Sequence, residues 1–103
     1  MIELTSKQRK FLEKNAQSMN PVVIVGQNGV TPAVEEMANT SLALHELIKI
    51  SFNEFKDEKQ DLAAKLAERC GATLVRIIGN KVILYRPAER AADRKFEKSL
   101  NKL

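Results

Sequence analysis

The chain has few of the residues that form disulfide bonds or bind metal ions. It contains one cysteine, one histidine and no tryptophan in 103 residues. A single cysteine excludes an internal disulfide bond, and one cysteine with one histidine disfavours a zinc site of four protein ligands. No apolar run approaches the ~20 residues needed to cross a bilayer. The polar, charged stretch from Met1 to Lys14 predicts no signal peptide, and therefore a cytoplasmic protein.

The remaining composition is that of one folded domain. Hydrophobic residues make up 44% of the chain and charged residues 29%. A single core in a chain of this length buries roughly two-thirds of the surface that the unfolded chain exposes, so no staple is required. Because the apolar residues also recur with clear periodicity, the sequence does not indicate disorder.

Charge is distributed unevenly along the chain. Residues 1–31 carry a net charge of +2, residues 32–75 a net −3 and residues 76–103 a net +5. If the fold brings the two basic ends together, one face becomes a cationic patch, which is typical of a nucleic-acid-binding protein. From charge alone, an equally good interpretation is that the long basic side chains only solvate helix surfaces.

Local signals in the first half predict two helix–strand pairs. Thr5 and Gln8 fit a capping box that starts the first helix. A β-branched run, 22–25, then predicts a buried strand. Thr31 is a good N-cap, and the proline that follows it suits the first position of a second helix. The alternating segment 47–52 predicts the second strand.

The second half predicts a third helix and a hairpin. Residues 57–70 have helical spacing and end at Gly71. The segments 73–78 and 81–86 are rich in β-formers, and Gly79-Asn80 between them suits a type II′ turn. The order α-β-α-β-α-β-β predicts a compact α/β two-layer sandwich with a four-stranded mixed sheet. We divide the chain into a domain, 1–87, and a basic amphipathic tail, 88–103, which we expect to be helical only if it docks.

The loop between the first strand and the second helix has the chemistry of a phosphate site. It reads Gly26-Gln27-Asn28-Gly29. Glycines allow the backbone to approach a ligand closely, and the following helix offers unpaired N–H groups. The spacing is neither that of a P-loop nor that of the dinucleotide fingerprint. A Gly-x-x-Gly loop that clamps a nucleic-acid backbone occurs in the K-homology module, but a bare motif of this kind is common and by itself favours a tight strand-to-helix turn.

Three segments together resemble the CRM domain family (chloroplast RNA splicing and ribosome maturation), in its bacterial stand-alone, YhbY-like form. The first is 21–32, which contains the loop. The second is 45–50, and the third is 77–87. The resemblance covers about residues 3–87 and keeps the family order. It implies a fold similar to the C-terminal domain of translation initiation factor three. It also implies RNA binding and association with precursors of the large ribosomal subunit.

The resemblance places the family's GxxG loop on Gly26 and Gly29. Many relatives carry a basic residue inside this loop, and this chain has Gln27 and Asn28 there. We therefore expect any affinity of the loop to come from backbone N–H groups and amide side chains. The residues predicted to bind RNA are Gly26, Gln27, Asn28, Gly29, Thr31, Lys7, Arg9, Lys10, Lys14, Lys81 and Arg86.

Two other functions compete with an RNA-binding assembly factor. The amphipathic tail around Phe96 and Leu100 could dock a protein partner, which would make the positive charge incidental. Cys70 and His45 could form a catalytic pair, although Cys70 ends an apolar helical pattern and is better explained as a small buried residue. Tyr85 fits the core and base stacking about equally. We expect no enzyme, cofactor, metal, small-molecule substrate or membrane partner.

Overall fold

The computed structural model describes residues 2–103 of the chain. Along this range the elements follow the predicted order, with two short helices added at the C-terminal end. They are α1 Ser6–Ala16, β1 Val23–Val25, α2 Pro32–His45, β2 Leu47–Phe52, α3 Lys59–Cys70, β3 Thr73–Ile78, β4 Lys81–Tyr85, a 3₁₀ helix Ala91–Asp93 and α4 Glu97–Leu100. Within residues 2–103, no helix combines the length and apolar character that a membrane span requires.

The four strands form one mixed sheet in the order β1-β2-β4-β3. Strand β1 pairs in parallel with β2, because α2 carries the chain back along the sheet between them. The β3–β4 hairpin is antiparallel, and β4 also pairs antiparallel with β2. The predicted α/β class and four-stranded mixed sheet are confirmed.

Helices cover the sheet on both faces. Helices α2 and α3 pack on one face, which we call the α2/α3 face; the core there includes Ile50, Phe52, Leu66 and Leu84. On the opposite face, which we call the α1 face, helix α1 and the C-terminal segment pack over a second cluster. The buried members of that cluster are Leu12, Ala16, Leu47, Val75, Ile83, Tyr85 and Leu100.

The arrangement therefore has three layers where the sequence predicted two. The physical reason lies in the central strands, whose side chains alternate between the faces. Ile48 and Leu84 point to the α2/α3 face, whereas Leu47 and Tyr85, also apolar, point to the α1 face. Apolar side chains on both faces of a sheet need a cover on each side.

Local capping signals were predicted correctly. The Thr5 side chain accepts from the Gln8 backbone N–H while the Gln8 side chain accepts from Thr5, as a capping box requires. Thr31 caps α2, and Gly71 ends α3 in the left-handed conformation. Gly79 has φ of +58° and Asn80 does not have positive φ, which agrees with a type II′ turn.

The C-terminal segment docks on the domain instead of extending from it. Phe96 packs edge-to-face on Tyr85, with ring centroids 6.2 Å apart, and Leu100 is buried. Only α4, of four residues, is α-helical there. The segment therefore docks, as its predicted helix requires. It forms two short helices, however, and not one continuous helix.

A buried carboxylate fixes the start of this segment. Glu46, which is 1% exposed, lies between α2 and β2. Its Oε2 accepts from the Ala88 N–H at 2.6 Å and its Oε1 from the Lys95 N–H at 2.6 Å. The two carboxylate oxygens thus hold both ends of a loop of the C-terminal segment.

We expect Glu46→Gln to loosen this segment. A glutamine presents an NH₂ group where one backbone N–H needs an acceptor, and a buried unsatisfied donor costs about 1–3 kcal/mol. Denaturant unfolding should show a loss of this size, with faster proteolysis after Pro87. The exposed Glu89→Gln serves as the matched control. Unchanged stability and protection in Glu46→Gln would contradict this role of the carboxylate.

Candidate nucleic-acid interface

The Gly26–Gly29 loop is a tight turn from β1 into α2. The Gly29 N–H donates to the Gly26 carbonyl at 3.0 Å, and Gly29 has φ of +72°. Gln27 and Asn28 are exposed at the tip. Thr31 Oγ1 accepts from the Val34 N–H at 3.2 Å and so begins the helix. The geometry presents two amide side chains and a helix N-terminus at one point; binding of RNA by the loop stays a prediction.

Three loops meet at this end of the sheet, which we call the loop end. The N–H groups of Asn53 and Glu54 donate to the Val25 carbonyl at 3.0 and 3.3 Å, so the segment after β2 lies beside the Gly26–Gly29 loop. The Phe52 N–H donates to the Asn80 carbonyl at 2.8 Å, which places the hairpin turn next to it.

Helix α1 presents a row of lysines to solvent. Lys7, Lys10 and Lys14 are exposed and spaced i, i+3, i+7, so they share one side of the helix. Leu12 and Ala16 on the other side are buried against the sheet. Within residues 2–103 none of the three lysines is in a salt bridge with a carboxylate. Their charge is therefore available to an anionic ligand.

Two arginines predicted to bind RNA are engaged within the fold. Arg9 Nη1 donates to the carbonyls of Leu74 and Val75 at 2.7 and 2.8 Å, at the point where the β3–β4 register shifts. The guanidinium thus binds two successive carbonyls at an irregularity in the strand pairing. Arg9 therefore has a structural role in the fold, and its binding of RNA stays a prediction.

Arg86 is the second of these arginines, and its binding of RNA likewise stays a prediction. Its Nη1 donates to the Cys70 carbonyl at 2.7 Å and to Asn39 Oδ1, and its Nη2 donates to the Asn39 carbonyl at 3.0 Å. It connects the end of β4 to both α2 and the C-terminus of α3. Sequence reasoning counted its charge but had no signal for these distant partners.

Part of the α1 face at the loop end is not covered by α1. The strand pairing aligns Ile24, Ser51, Lys81 and Ile78 in one row across all four strands, which we call the open row. Ile24 is 57% exposed and Ile78 45% exposed. Lys81 Nζ donates to Ser51 Oγ at 3.3 Å and to Asn80 Oδ1 at 3.0 Å. The row is therefore accessible at its two edge strands, whereas in its middle Ser51 is buried and the predicted residue Lys81 is half-buried.

The next row connects α1 to this strip. Lys49 Nζ donates to the Gln17 carbonyl at 3.3 Å, at the end of α1, and Arg76 Nε lies 3.4 Å from Glu13 Oε2. Both basic side chains belong to the α1 face by register. The α1 face of the sheet thus also holds Lys49, Arg76 and Lys81, of which Arg76 is paired with Glu13. Sequence reasoning missed Lys49, Arg76 and the open row, because only the register reveals which strand residues share a face.

Cys70 and His45 do not form the catalytic pair that the sequence allowed. The thiol is buried, with Sγ 3.9 Å from the Glu35 carbonyl. Burial raises the pKa of the Cys70 thiol, an effect that the Arg86 charge partly offsets and Glu35 reinforces. Within residues 2–103 no hydrogen bond joins Cys70 to His45, which is exposed at the end of α2. Over the same residues, no cluster of three or more His, Cys, Asp or Glu could hold a metal.

Tyr85 belongs to the core. It is 1% exposed and packs against Phe96. Burial, with the negative charges of Glu46 and Glu97, raises the pKa of Tyr85 to about 12. Of the two interpretations of this residue, base stacking is therefore wrong for the folded domain.

Fold and surface define a small α/β domain with a row of exposed lysines on α1 and a glycine loop at one end of the sheet. The chain belongs to the CRS1/YhbY (CRM) domain family, whose model matches residues 4–86. An RNA-binding protein of Haemophilus influenzae is 37% identical over 92 residues, covering 88% of this chain and 93% of its own length. The probable RNA-binding protein YqeI of Bacillus subtilis is 33% identical over 87 residues, covering 84% of this chain and 91% of its own.

A solved structure has the same fold. The solution structure of the Staphylococcus aureus protein SAV1595, proposed to bind RNA, superposes with a TM-score of 0.75. It is 29% identical in sequence and the match covers 90% of this chain and 98% of that one. The family resemblance and the fold expected from the sequence are thus confirmed.

We expect the Cys70 thiol to be unreactive in the folded protein. Because burial raises its pKa, less thiolate is present at a given pH, and the thiolate is the reacting species. Alkylation by iodoacetamide at pH 8 should run at least roughly tenfold slower in native protein than in denaturant. Native alkylation as fast as that of a free cysteine would contradict the buried assignment.

Proposed function

We propose that this protein binds structured ribosomal RNA and acts as an assembly factor for precursors of the large ribosomal subunit in the cytoplasm. The observation that carries the RNA part is the row of exposed lysines on α1, on the sheet face that also holds Lys49 and Lys81. RNA-binding relatives that match most of the chain support it. The ribosomal part follows what the family resemblance implies.

The lysines of α1 would supply the electrostatic attraction. Lys7, Lys10 and Lys14 lie along about 10 Å of helix, given a rise of 1.5 Å per residue. Each exposed ammonium can neutralise a phosphate and release its counterions. Lys81 in the open row extends this charge towards the loop end, so RNA can follow one continuous path.

The Gly26–Gly29 loop would act at the end of that path. It has no cation of its own, so its contribution must come from backbone N–H groups, the α2 N-terminus and the exposed amides of Gln27 and Asn28. Thr31 accepts from Val34 but keeps a hydroxyl proton that it can donate to a phosphate oxygen.

The alternative, a protein-docking tail, loses its basis in this fold. Phe96 and Leu100, the apolar residues that would have met a partner, pack on the chain's own sheet. Their exposed neighbours in the segment are charged, polar or small, apart from the terminal Leu103.

The α1 lysines should dominate the salt-dependent part of RNA binding. Replacing Lys7, Lys10 and Lys14 together by Ala should weaken binding to a structured ribosomal RNA fragment about tenfold at moderate salt. It should also reduce the log–log salt slope by about 2–3. Fluorescence anisotropy at several salt concentrations measures both quantities.

A charge-matched control lies away from the α1 face. Replacing Lys59, Lys65 and Arg69 by Ala removes the same charge from α3. Both triple variants should melt like the parent, since exposed substitutions cost little stability. Equal losses of affinity in the two variants would contradict the assignment of RNA binding to the α1 lysines.

The loop can be tested without disturbing the fold. A Cβ at Gly26 would meet nothing within 4 Å, and Gly26 does not have positive φ. Gly26→Ala should therefore fold normally yet weaken RNA binding, if RNA approaches the backbone there. Gln27→Lys should tighten binding in a salt-sensitive way, whereas Gln60→Lys on α3 should not. Parent-like binding by both loop variants would show that the loop is only a turn.

A further inference from the structure

Phe55 occupies an unusual position beside the Gly26–Gly29 loop. It lies between β2 and α3 and has φ of +57°, a left-handed conformation that costs roughly 1–2 kcal/mol for a residue with a Cβ. The backbone holds it there: Asn53 and Glu54 donate to Val25, and the Glu58 N–H donates to the Phe55 carbonyl at 3.1 Å. Phe55 is therefore fixed relative to the loop.

The ring contacts the loop and remains partly in solvent. A Cβ built on Gly29 would lie 3.5 Å from Phe55 Cε2 and 3.7 Å from Cζ, so the edge of the ring lies against that glycine. Phe55 is nevertheless 40% exposed and lies outside both core clusters. It packs against the candidate RNA loop without being needed to fill the interior.

The exposed part of Phe55 borders an open cleft at the loop end. The other lining residues are Gln27, Asn53, Glu54, Lys56, Asp57 and Glu58. The cleft thus combines one aromatic ring with amides and carboxylates. Its carboxylates outnumber its single ammonium, which disfavours a phosphate inside the cleft. A neutral, flat group with N–H donors on its edge suits this lining better, because ionised carboxylates only accept hydrogen bonds.

We propose that Phe55 is a stacking surface for one unpaired base of the bound RNA, and that the cleft prefers guanine over uracil. Guanine's N1–H and N2–H₂ groups can donate side by side to the two oxygens of one carboxylate, whereas uracil offers a single N–H donor. A phosphate next to this base would lie at the Gly26–Gly29 loop. The inference rests on the proposed RNA binding and adds the recognition of one base.

A purely structural role for Phe55 predicts different behaviour. If the ring only supports Gly29, its loss changes stability or the affinity for every RNA equally. If it stacks a base, its loss lowers affinity only for RNA that offers an unpaired nucleotide, and another aromatic residue restores it.

The experiment compares RNA hairpins that differ at one unpaired loop nucleotide, with a blunt duplex as reference. Phe55→Leu keeps an apolar side chain without an aromatic face, and Phe55→Tyr keeps the face. We expect Phe55→Leu to bind the guanine hairpin about five- to hundredfold more weakly, with unchanged duplex binding, since a stacked base contributes about that much. Phe55→Tyr should bind like the parent, as should Leu44→Ala, an exposed change on α2.

The base preference is tested separately by Glu54→Gln, Asp57→Asn and Glu58→Gln combined. Removing three negative charges raises affinity for any RNA, so the readout is the ratio of guanine to uracil affinities. This ratio should fall towards one. Thermal unfolding of each variant identifies any that fail to fold. If Phe55→Leu fails to fold, the test uses the parent and Phe55→Tyr, both of which should quench the fluorescence of 2-aminopurine at the unpaired position.

The outcomes are separable. Parent protein that binds no RNA would overturn the proposed function and this inference with it. RNA binding that is indifferent to Phe55→Leu, with no quenching of 2-aminopurine by the parent, would overturn the inference alone. An equal loss of affinity for the hairpins and for the duplex would show that Phe55 only supports Gly29, which would also overturn the inference.

Discussion

Strands β2 and β4 lie side by side in the middle of the sheet and carry apolar side chains on both faces. Burial of these side chains is the main favourable term in folding, and it requires a cover on each face. Helices α2 and α3 supply one cover, and α1 with the docked C-terminal segment supplies the other. Beyond this cover, Ile24 and Ile78 remain exposed on the two edge strands of the sheet.

Helix α1 joins stability to the proposed function. Leu12 and Ala16 anchor its inner side in the core, and the lysines occupy the opposite side. A helix held in this way presents its charges on a fixed frame, so little ordering of backbone is needed when an anionic ligand binds. The Glu46 carboxylate holds the C-terminal segment beside it, completing the same cover. Basic residues from both ends of the chain therefore lie on one domain.

The elements with local signals were predictable, whereas contacts between distant residues were not. Thr5, Thr31 and Gly71 act on their own helices, so their neighbours in sequence were sufficient evidence. Arg9 and Arg86 carry ordinary basic charge in the sequence, and only the fold brings carbonyls of other elements to them. Likewise, the open row depends on the register of four strands. The contact of Phe55 with Gly29 depends on two loops that meet at the edge of the sheet. The α3 start also differed, at Lys59 instead of residue 57, because residues 56–58 form a turn in which the Glu58 N–H donates to the Phe55 carbonyl.

The central claim is that one face of this domain binds RNA. Backbone amide chemical shifts, followed by NMR while a structured ribosomal RNA fragment is added, test it residue by residue. The account predicts that shifts concentrate on the exposed side of α1, on the open row and on residues 26–31, with little change along the outer side of α2 and the second half of α3. Shifts confined to α2 and α3, with α1 unaffected, would contradict it.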